Sequence, residues 1–323
     1  MKKSLVALAV LAASGASFAQ TATVYGIADI WFGKVDNGTT SITQLESGGV
    51  STSSWGIKGA EDLGGGLKAN FKLEAEIGID TGASTGFSRE SWVGLSGGFG
   101  EVRLGKVSSA FNDIEGAAGP VFGSGAFGPM GLAFESDAQE TGRPVNTIYY
   151  AAPAMGGFNA AVSYSLDEKA VAGSEVVSVG LSYEAGPLYV SAGYQSEQAT
   201  TAGAQKIGIT QVNATYDLGA AKLLAALGDV KNSHGVAGDG VSEWLIGVDV
   251  PLSSALTLSA GYASSTRNFA SGAPDDKKTA FSIGAGYSLS KRTTVYMMAQ
   301  SNKLDSVVDV DGNGYAVGIT HNF

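Results

Sequence analysis

The chain has 323 residues, 20 basic against 30 acidic side chains for a formal charge of −10, and no cysteine. That balance excludes a nucleic-acid-binding surface, which needs a basic face, and the missing cysteine excludes disulfide frameworks and thiolate metal sites. Only 15% of residues are charged, against about 25% in ordinary soluble domains, yet no apolar run reaches the ~18 residues of a membrane helix.

The chain opens on a secretory leader. Lys2 and Lys3 form its basic start, Leu5 to Ala13 its apolar middle and Ser17-Phe18-Ala19 a small-x-small cleavage site. Residues 1–19 are therefore read as a signal peptide and residues 20–323 as the folded protein. Losing the leader removes two lysines and makes the remainder more acidic still.

From residue 20 onward, apolar and small or polar residues alternate. Phe158, Ala160, Val162, Tyr164 and Leu166 interleave with Asn159, Ala161, Ser163, Ser165 and Asp167, and Phe281, Ile283, Ala285 and Tyr287 with Ser282, Gly284, Gly286 and Ser288. Tyr315, Val317 and Ile319 repeat the pattern just before Phe323. Successive strand side chains point to opposite faces, so each segment presents one apolar and one wet face. Many such segments in one exported chain predict an all-β fold: a closed antiparallel barrel with lipid outside and water inside.

Short turns rich in Gly, Asp and Pro fall near 62–66, 97–100, 154–157, 185–187, 217–220, 251–254 and 289–291. Longer polar stretches lie between them at 36–52, 80–88, 107–142, 168–174, 198–204, 231–241, 267–278 and 304–313. Seven short turns and both termini on one side, with eight loops on the other, predict a transmembrane barrel of about 16 strands, wide enough to keep a water-filled lumen. Residues 206–216 and 221–228 break the alternation, and bulges or lumen-facing apolar residues would each account for it. Tyr164, Tyr183, Tyr194, Tyr262 and Tyr287 recur near strand ends, as interfacial girdles require.

The stretch 107–142 exceeds any hairpin connection. Its Gly, Ala and Phe content predicts packing inside the lumen, and it carries Asp113, Glu115, Glu135, Asp137 and Glu140. Along 68–76, Lys68, Asn70, Lys72, Glu74 and Glu76 alternate with Ala69, Phe71, Leu73 and Ala75, so these polar side chains face the lumen. Lys68 and Glu76, near the strand ends, are read as hydrating the wall only.

Thr23-Val24-Tyr25-Gly26-Ile27-Ala28-Asp29, Ser54-Trp55-Gly56-Ile57-Lys58-Gly59, Glu61-Asp62-Leu63-Gly64-Gly65-Gly66-Leu67, Trp92-Val93-Gly94-Leu95, Val102-Arg103-Leu104-Gly105-Lys106 and terminal Phe323 resemble the general trimeric porins of Gram-negative bacteria. The likeness is to the betaproteobacterial and neisserial type, and it is densest between residues 50 and 106. It implies a homotrimer of sixteen-stranded barrels in the bacterial outer membrane, a third long loop folded inward, and Phe323 as the signal read by the barrel-assembly machinery. Lipid and lipopolysaccharide are the implied surroundings.

The same resemblance implies a basic wall at the constriction. Lys58 stands where the family pattern usually has Arg, Arg89 matches a second wall position and Arg143 a third; Lys72, Glu74 and Arg103 complete the lumen wall. Lys58 is in phase with Gly56 and Ala60, which suits a lumen position. The family's Pro-Glu-Phe-Gly-type turn is replaced here by Ala126-Phe127-Gly128-Pro129. Wall bases argue for anions and loop acids for cations; nearby charges dominate, because distant ones are screened beyond ~8–10 Å. The expected function is passive diffusion of small hydrophilic solutes and ions with weak anion preference. The alternatives are a substrate-specific porin and a non-conducting adhesin or structural barrel.

Other motifs are discounted. Gly123-x-Gly125-x-x-Gly128 lacks the strand–helix setting of a dinucleotide site. Asp309-x-Asp311-x-Asn313-Gly314 matches half a calcium loop, but Thr320 stands where the bidentate Glu belongs. His234 and His321, the two histidines, have no nucleophile motif near them. No enzyme activity, cofactor or metal is expected.

Overall fold

The computed structural model describes residues 21–323 except 121–122, 124, 168–174 and 199–202. The leader at 1–19 and the loop expected at 168–174 lie outside the described residues, as does part of the glycine motif at 123–128.

The strands, in chain order, are β1 (Thr21–Asp36), β2 (Ser41–Ser47), β3 (Ser54–Gly64), β4 (Leu67–Glu76), β5 (Glu90–Gly97), β6 (Gly100–Lys106), β7 (Thr147–Ala151), β8 (Phe158–Ser165) and β9 (Val176–Ala185), then β10 (Leu188–Gln198), β11 (Lys206–Asp217), β12 (Lys222–Lys231), β13 (Gly240–Pro251), β14 (Leu256–Asn268), β15 (Asp276–Ser288), β16 (Thr293–Asp305) and β17 (Val310–Asn322). Apart from β2 and β3, neighbours in sequence pair antiparallel, and β1 closes the sheet on β17, with Ile27 opposite Asn322 and Asp36 opposite Asn313. β2 and β3 share one edge of β1: Ile30–Asp36 face β2, and Thr21–Ile27 face β3. They count as one wall position, which makes a closed sixteen-stranded barrel. At the seam, the N–H of Gly26 donates to the Phe323 carbonyl and the N–H of Phe323 to the Gly26 carbonyl, at 3.1 and 3.0 Å.

Lipid-facing side chains are exposed and apolar around the circumference: Val24, Val93, Leu104, Val162, Leu181, Val212, Leu227, Ile246, Ile283, Met297 and Val317. Exposure of so much apolar surface suits hydrocarbon, not water. The residues of opposite phase point into the lumen.

Two sequence expectations change. The loop expected over 36–52 contains β2, and only 37–40 turns the hairpin; Ser41–Ser47 is a polar strand paired with the end of β1, so it shows no lipid-type alternation. β14 to β17 also run further than expected, which shortens the loops at 267–278 and 304–313 to 269–275 and 306–309.

The break between β2 and β3 winds around one side chain. Asp29 is fully buried, and its carboxylate accepts the N–H groups of Gly49 (2.8 Å), Val50 (3.2 Å) and Ser51 (3.1 Å) and the hydroxyl of Tyr296 (2.6 Å). Four donors on one buried carboxylate replace its lost hydration.

The segment 107–146, the third loop, folds into the lumen through α1 (Asn112–Glu115), α2 (Pro129–Ala133) and α3 (Glu135–Gln139). It lies mainly on the inward faces of β8 to β17 and reaches Trp31 of β1 and Tyr149 of β7 at its margins. Ser163 and Ser178 accept the N–H groups of Ala110 and Phe111, Gln211 and Asn213 donate to the carbonyls of Glu115 and Ile114, and Ser265 donates to that of Ala133. Phe127 meets Trp31 edge-on at 5.0 Å and buries beside Met298 and Ala316. Ile207, Ile209, Val230 and Val241 close over Phe111, and Leu224, Ala226, Leu245 and Ala263 over Ala118, Met130 and Phe134. The broken alternation of 206–216 and 221–228 is thereby explained. The register there is continuous, and both faces are apolar because one meets lipid and the other meets the loop.

Glycine permits the closest approach. A Cβ on Gly180 would sit 2.1 Å from the Ala110 carbonyl oxygen, and one on Gly193 would sit 2.8 Å from Ile114 Cδ1.

Candidate functional site

With the third loop covering β8 to β17, the open passage runs along the lumen face of β1 to β7. Period-two geometry places Tyr25 of β1, Lys58 of β3, Lys68, Lys72 and Glu74 of β4, Glu90 and Trp92 of β5, Arg103 of β6 and Tyr149 of β7 on that face.

Glu74 is the hub of its upper part. Its carboxylate accepts Arg89 Nε at 2.7 Å and the Tyr25 hydroxyl at 2.7 Å, and lies 3.1 Å from Lys72 Nζ. Lys72 also reaches Glu90 at 2.7 Å, whose other oxygen accepts the Trp92 indole N–H at 2.8 Å. Arg89 extends toward Glu76 at 3.8 Å. Arg143, half-buried at the end of the loop, is near enough to Arg89 and Lys106 for their charges to oppose its own. Glu74, Glu90 and Glu140 compensate it.

Lys58 differs from these. It is exposed, pairs across the ladder with Lys72, and sets its Nζ 4.7 Å over the Tyr25 ring. No carboxylate bonds it among the described residues. Lys68 is likewise exposed, and among the described residues no acid pairs with it. Arg103 is bonded to Glu101 at 2.7 Å and sandwiched between the Trp92 and Tyr149 rings, at 4.9 and 4.8 Å. Thr23, Lys58, Lys68, Asn70, Lys72 and Ser96 line a recess of about 570 Å³ with Trp92 and Glu101.

The five loop acids are not equivalent. Asp113 is exposed and accepts the Tyr149 hydroxyl at 2.7 Å. Glu135 is buried, paired with Lys278 and 4.0 Å from His234. Glu115 is buried under the loop with Asp137 and Glu140 beside it. The short α1 turns Ile114 and Glu115 toward the wall and Asp113 toward the passage.

Sequence reasoning missed Tyr25, Glu90 and Asp29 near the passage, and Glu197 and Glu243 beneath the loop. Glu197 accepts the N–H of Thr141 at 2.9 Å, and Glu243 those of Glu135 and Ser136. The signal was available in their phase: Glu90 shares the lumen phase of Gly94 and Ser96, and Glu243 is opposite in phase to lipid-facing Trp244.

A family model for Gram-negative porins matches residues 4–307. The chain belongs to the Gram-negative porin family. It is 37% identical to outer membrane porin protein 32 of Delftia acidovorans, over 99% of its own length and 95% of that protein. It is 34% identical to major outer membrane protein P.IB of Neisseria gonorrhoeae, over 57% of this chain and 54% of that one. The solved anion-selective porin from Comamonas acidovorans superposes with a TM-score of 0.83 at 29% identity, covering 94% of this chain and 100% of that chain. The trimer form of OmpT from Vibrio cholerae shares the fold, with a TM-score of 0.76 at 16% identity. This porin is an outer-membrane β-barrel, and its lumen is a channel for passive diffusion of small hydrophilic solutes.

Proposed function

We propose that this porin favours small anions weakly, with Lys58, Arg89 and Arg143 as the basic wall of its constriction. The observation that carries the reading is the unequal fate of the charges. Lys58 and Lys68 stand free on the open wall, whereas of the five loop acids only Asp113 is exposed to the passage. Opposed charges across a wet constriction sort ions by local field, so bases left unpaired there outweigh acids withdrawn beneath the loop. The similar barrel from Comamonas acidovorans is an anion-selective porin, which supports the same sign. Arg89, Lys72, Glu74 and Arg103 shape the field as paired groups. Tyr25, Trp92 and Tyr149 already carry cations over their rings, which disfavours an aromatic slide for sugars.

Among the described residues named on the passage face of β1 to β7 there is no nucleophile–base pair, and the Ser233–His234 contact lies outside that face, beside the loop helix that carries Glu135; transport without catalysis, cofactor or metal is the reading. A homotrimer in contact with lipopolysaccharide and recognition of Phe323 by the assembly machinery follow from the family likeness, and a cleaved leader at 1–19 from its basic start, apolar middle and small-x-small site; Phe323 supports its own role by standing at the barrel seam. The deciding measurement is the zero-current potential of the purified protein in planar bilayers under a salt gradient. A potential of cation-selective sign would reject the anion reading, and no stepwise current would reject an open channel.

A further inference from the structure

Beneath the third loop there is a surplus of hydrogen-bond acceptors. Glu115, only 6% exposed, lies within hydrogen-bonding reach of Asp137 and Glu140. Glu197 of β10 and Glu243 of β13 rise from the wall around them, with Gln195 and Gln211 between. The backbone and amide donors at hand are spent: Thr141 N–H on Glu197, the N–H groups of Glu135 and Ser136 on Glu243, and the Gln211 amide on the Glu115 carbonyl and on Asn213. Among the described residues, Glu115 Oε1, Glu140 Oε2, Glu243 Oε1, Gln195 Oε1 and Gln211 Oε1 remain buried without a donor. Against these five acceptors only two nearby donors are likewise unpartnered, the Ser136 hydroxyl beside Glu243 and Arg143 Nε.

The surrounding charges do not relieve this. From the loop itself, Arg143 is the cation whose field reaches Glu140. Lys278 and His234 engage Glu135 instead, and Arg267 engages Asp239. None of Glu115, Asp137, Glu140, Glu197 and Glu243 forms an ion pair among the described residues, nor do three acids there gather in a metal-binding arrangement. A buried carboxyl without a cation keeps its proton, and the proton is a donor.

We propose that Glu115, Asp137 and Glu140 share protons at neutral pH, and that these protons both fasten the third loop to the wall and set ion preference by keeping the underside of the loop uncharged. The ion-preference half rests on the anion reading above. Burial first, and then the neighbouring carboxylates, raise Glu115 and Glu140 well above the ordinary carboxylate range. For acids raised in the seated loop, seating binds protons. It is therefore strongest at low pH and weakens as pH climbs from the ordinary carboxylate value through the raised ones. Alkali, not acid, loosens the loop and adds negative charge to the pore.

The test compares wild type with Glu115→Gln/Glu140→Gln, which fixes the neutral form, by reversal potential from about pH 6 to about pH 9.5. The wild-type anion-to-cation ratio falls about threefold or more further over that range than the double variant's, roughly the effect of one added pore charge. Lysine and tyrosine titration affects both proteins alike and cancels. Equal pH slopes overturn the proposal. If wild type shows no anion preference at the acid end, the anion reading fails, and the difference in slopes still decides the proton claim. Infrared spectra of the wild type read the protons without a variant: a protonated-carboxyl C=O stretch at neutral pH that bleaches in alkali is expected, and its absence overturns the proposal. A chelator that shifts the neutral-pH ratio as alkali does would show that a divalent cation holds the seat, which also overturns it.

Discussion

Replacing Lys58 by Gln isolates a single free charge on the passage wall. Lys58 has no acid partner among the described residues and lies over Tyr25 at 4.7 Å, so its loss leaves no buried carboxylate stranded. An ion passing at about 6 Å feels ~0.7 kcal/mol from one unit charge in water, and screening at about 0.1 M salt lowers this to ~0.4 kcal/mol. The sign is opposite for the two ions, so the anion-to-cation ratio changes by ~0.8 kcal/mol, or about fourfold in the direction of cations. At about 1 M salt the Debye length is near 3 Å and the same substitution moves the ratio less than ~1.5-fold. Reversal potentials at both salt concentrations check this. A change below ~1.5-fold at the lower salt, or an equal change at both, would refute a screened local field from Lys58 as the sorting mechanism.

Three further perturbations follow from the geometry. Glu74→Gln removes the carboxylate shared by Arg89, Tyr25 and Lys72, so the ion ratio moves roughly twofold to threefold toward anions, opposite to Lys58→Gln; a cation-ward shift contradicts the proposed field. Asp29→Ala strands three backbone N–H groups and the Tyr296 hydroxyl in a buried site, costing about 3–5 kcal/mol in denaturant unfolding of the reconstituted barrel, and a loss under ~1 kcal/mol shows that the 48–53 turn is held by something else. Gly180→Val drives a side chain into the Ala110 carbonyl, so the root of the third loop shifts and single-channel conductance changes in an otherwise intact barrel. Wild-type conductance would mean that this contact does not set the passage.

The barrel was legible because the bilayer imposes one simple demand on every strand, an apolar side chain at each alternate residue. Phe281, Ile283 and Tyr287 satisfy it without interference. It failed where a second demand overlaid the first. The inward residues of β11 to β13, such as Ile209, Leu224 and Leu245, seat the third loop, so both faces are apolar and the period disappears. β2 escaped notice for the opposite reason: its exposed, largely polar residues bear neither an inner core nor a continuous lipid face. At the passage, the phase of Lys58, Lys72 and Glu74 was readable, but their partners were not. Which acid neutralises which base depends on registers that bring Lys72 beside Trp92 and Glu74 beside Glu90, and no local pattern encodes that.

The loop acids teach the sharper lesson about charge and position. Five carboxylates in one inward loop read as an acidic row facing a basic wall, and on that count the pore would be balanced or cation-favouring. The short helices decide otherwise. α1 and α3 present Glu115 and Glu135 to the wall, where Gln211 and Asn213 hold the backbone around Ile114 and Glu115, and Glu243 holds that of Glu135 and Ser136. Once there, an acid finds a cation, as Glu135 finds Lys278, or enough donors, as Asp29 does at its turn, or keeps its proton, because desolvation disfavours the lone anion. The acids that anchor the loop are therefore the ones removed from the pore's electrostatics. On the proposed reading, anchoring and ion preference are consequences of one arrangement, so a substitution that loosens the loop should also move the ion preference toward cations.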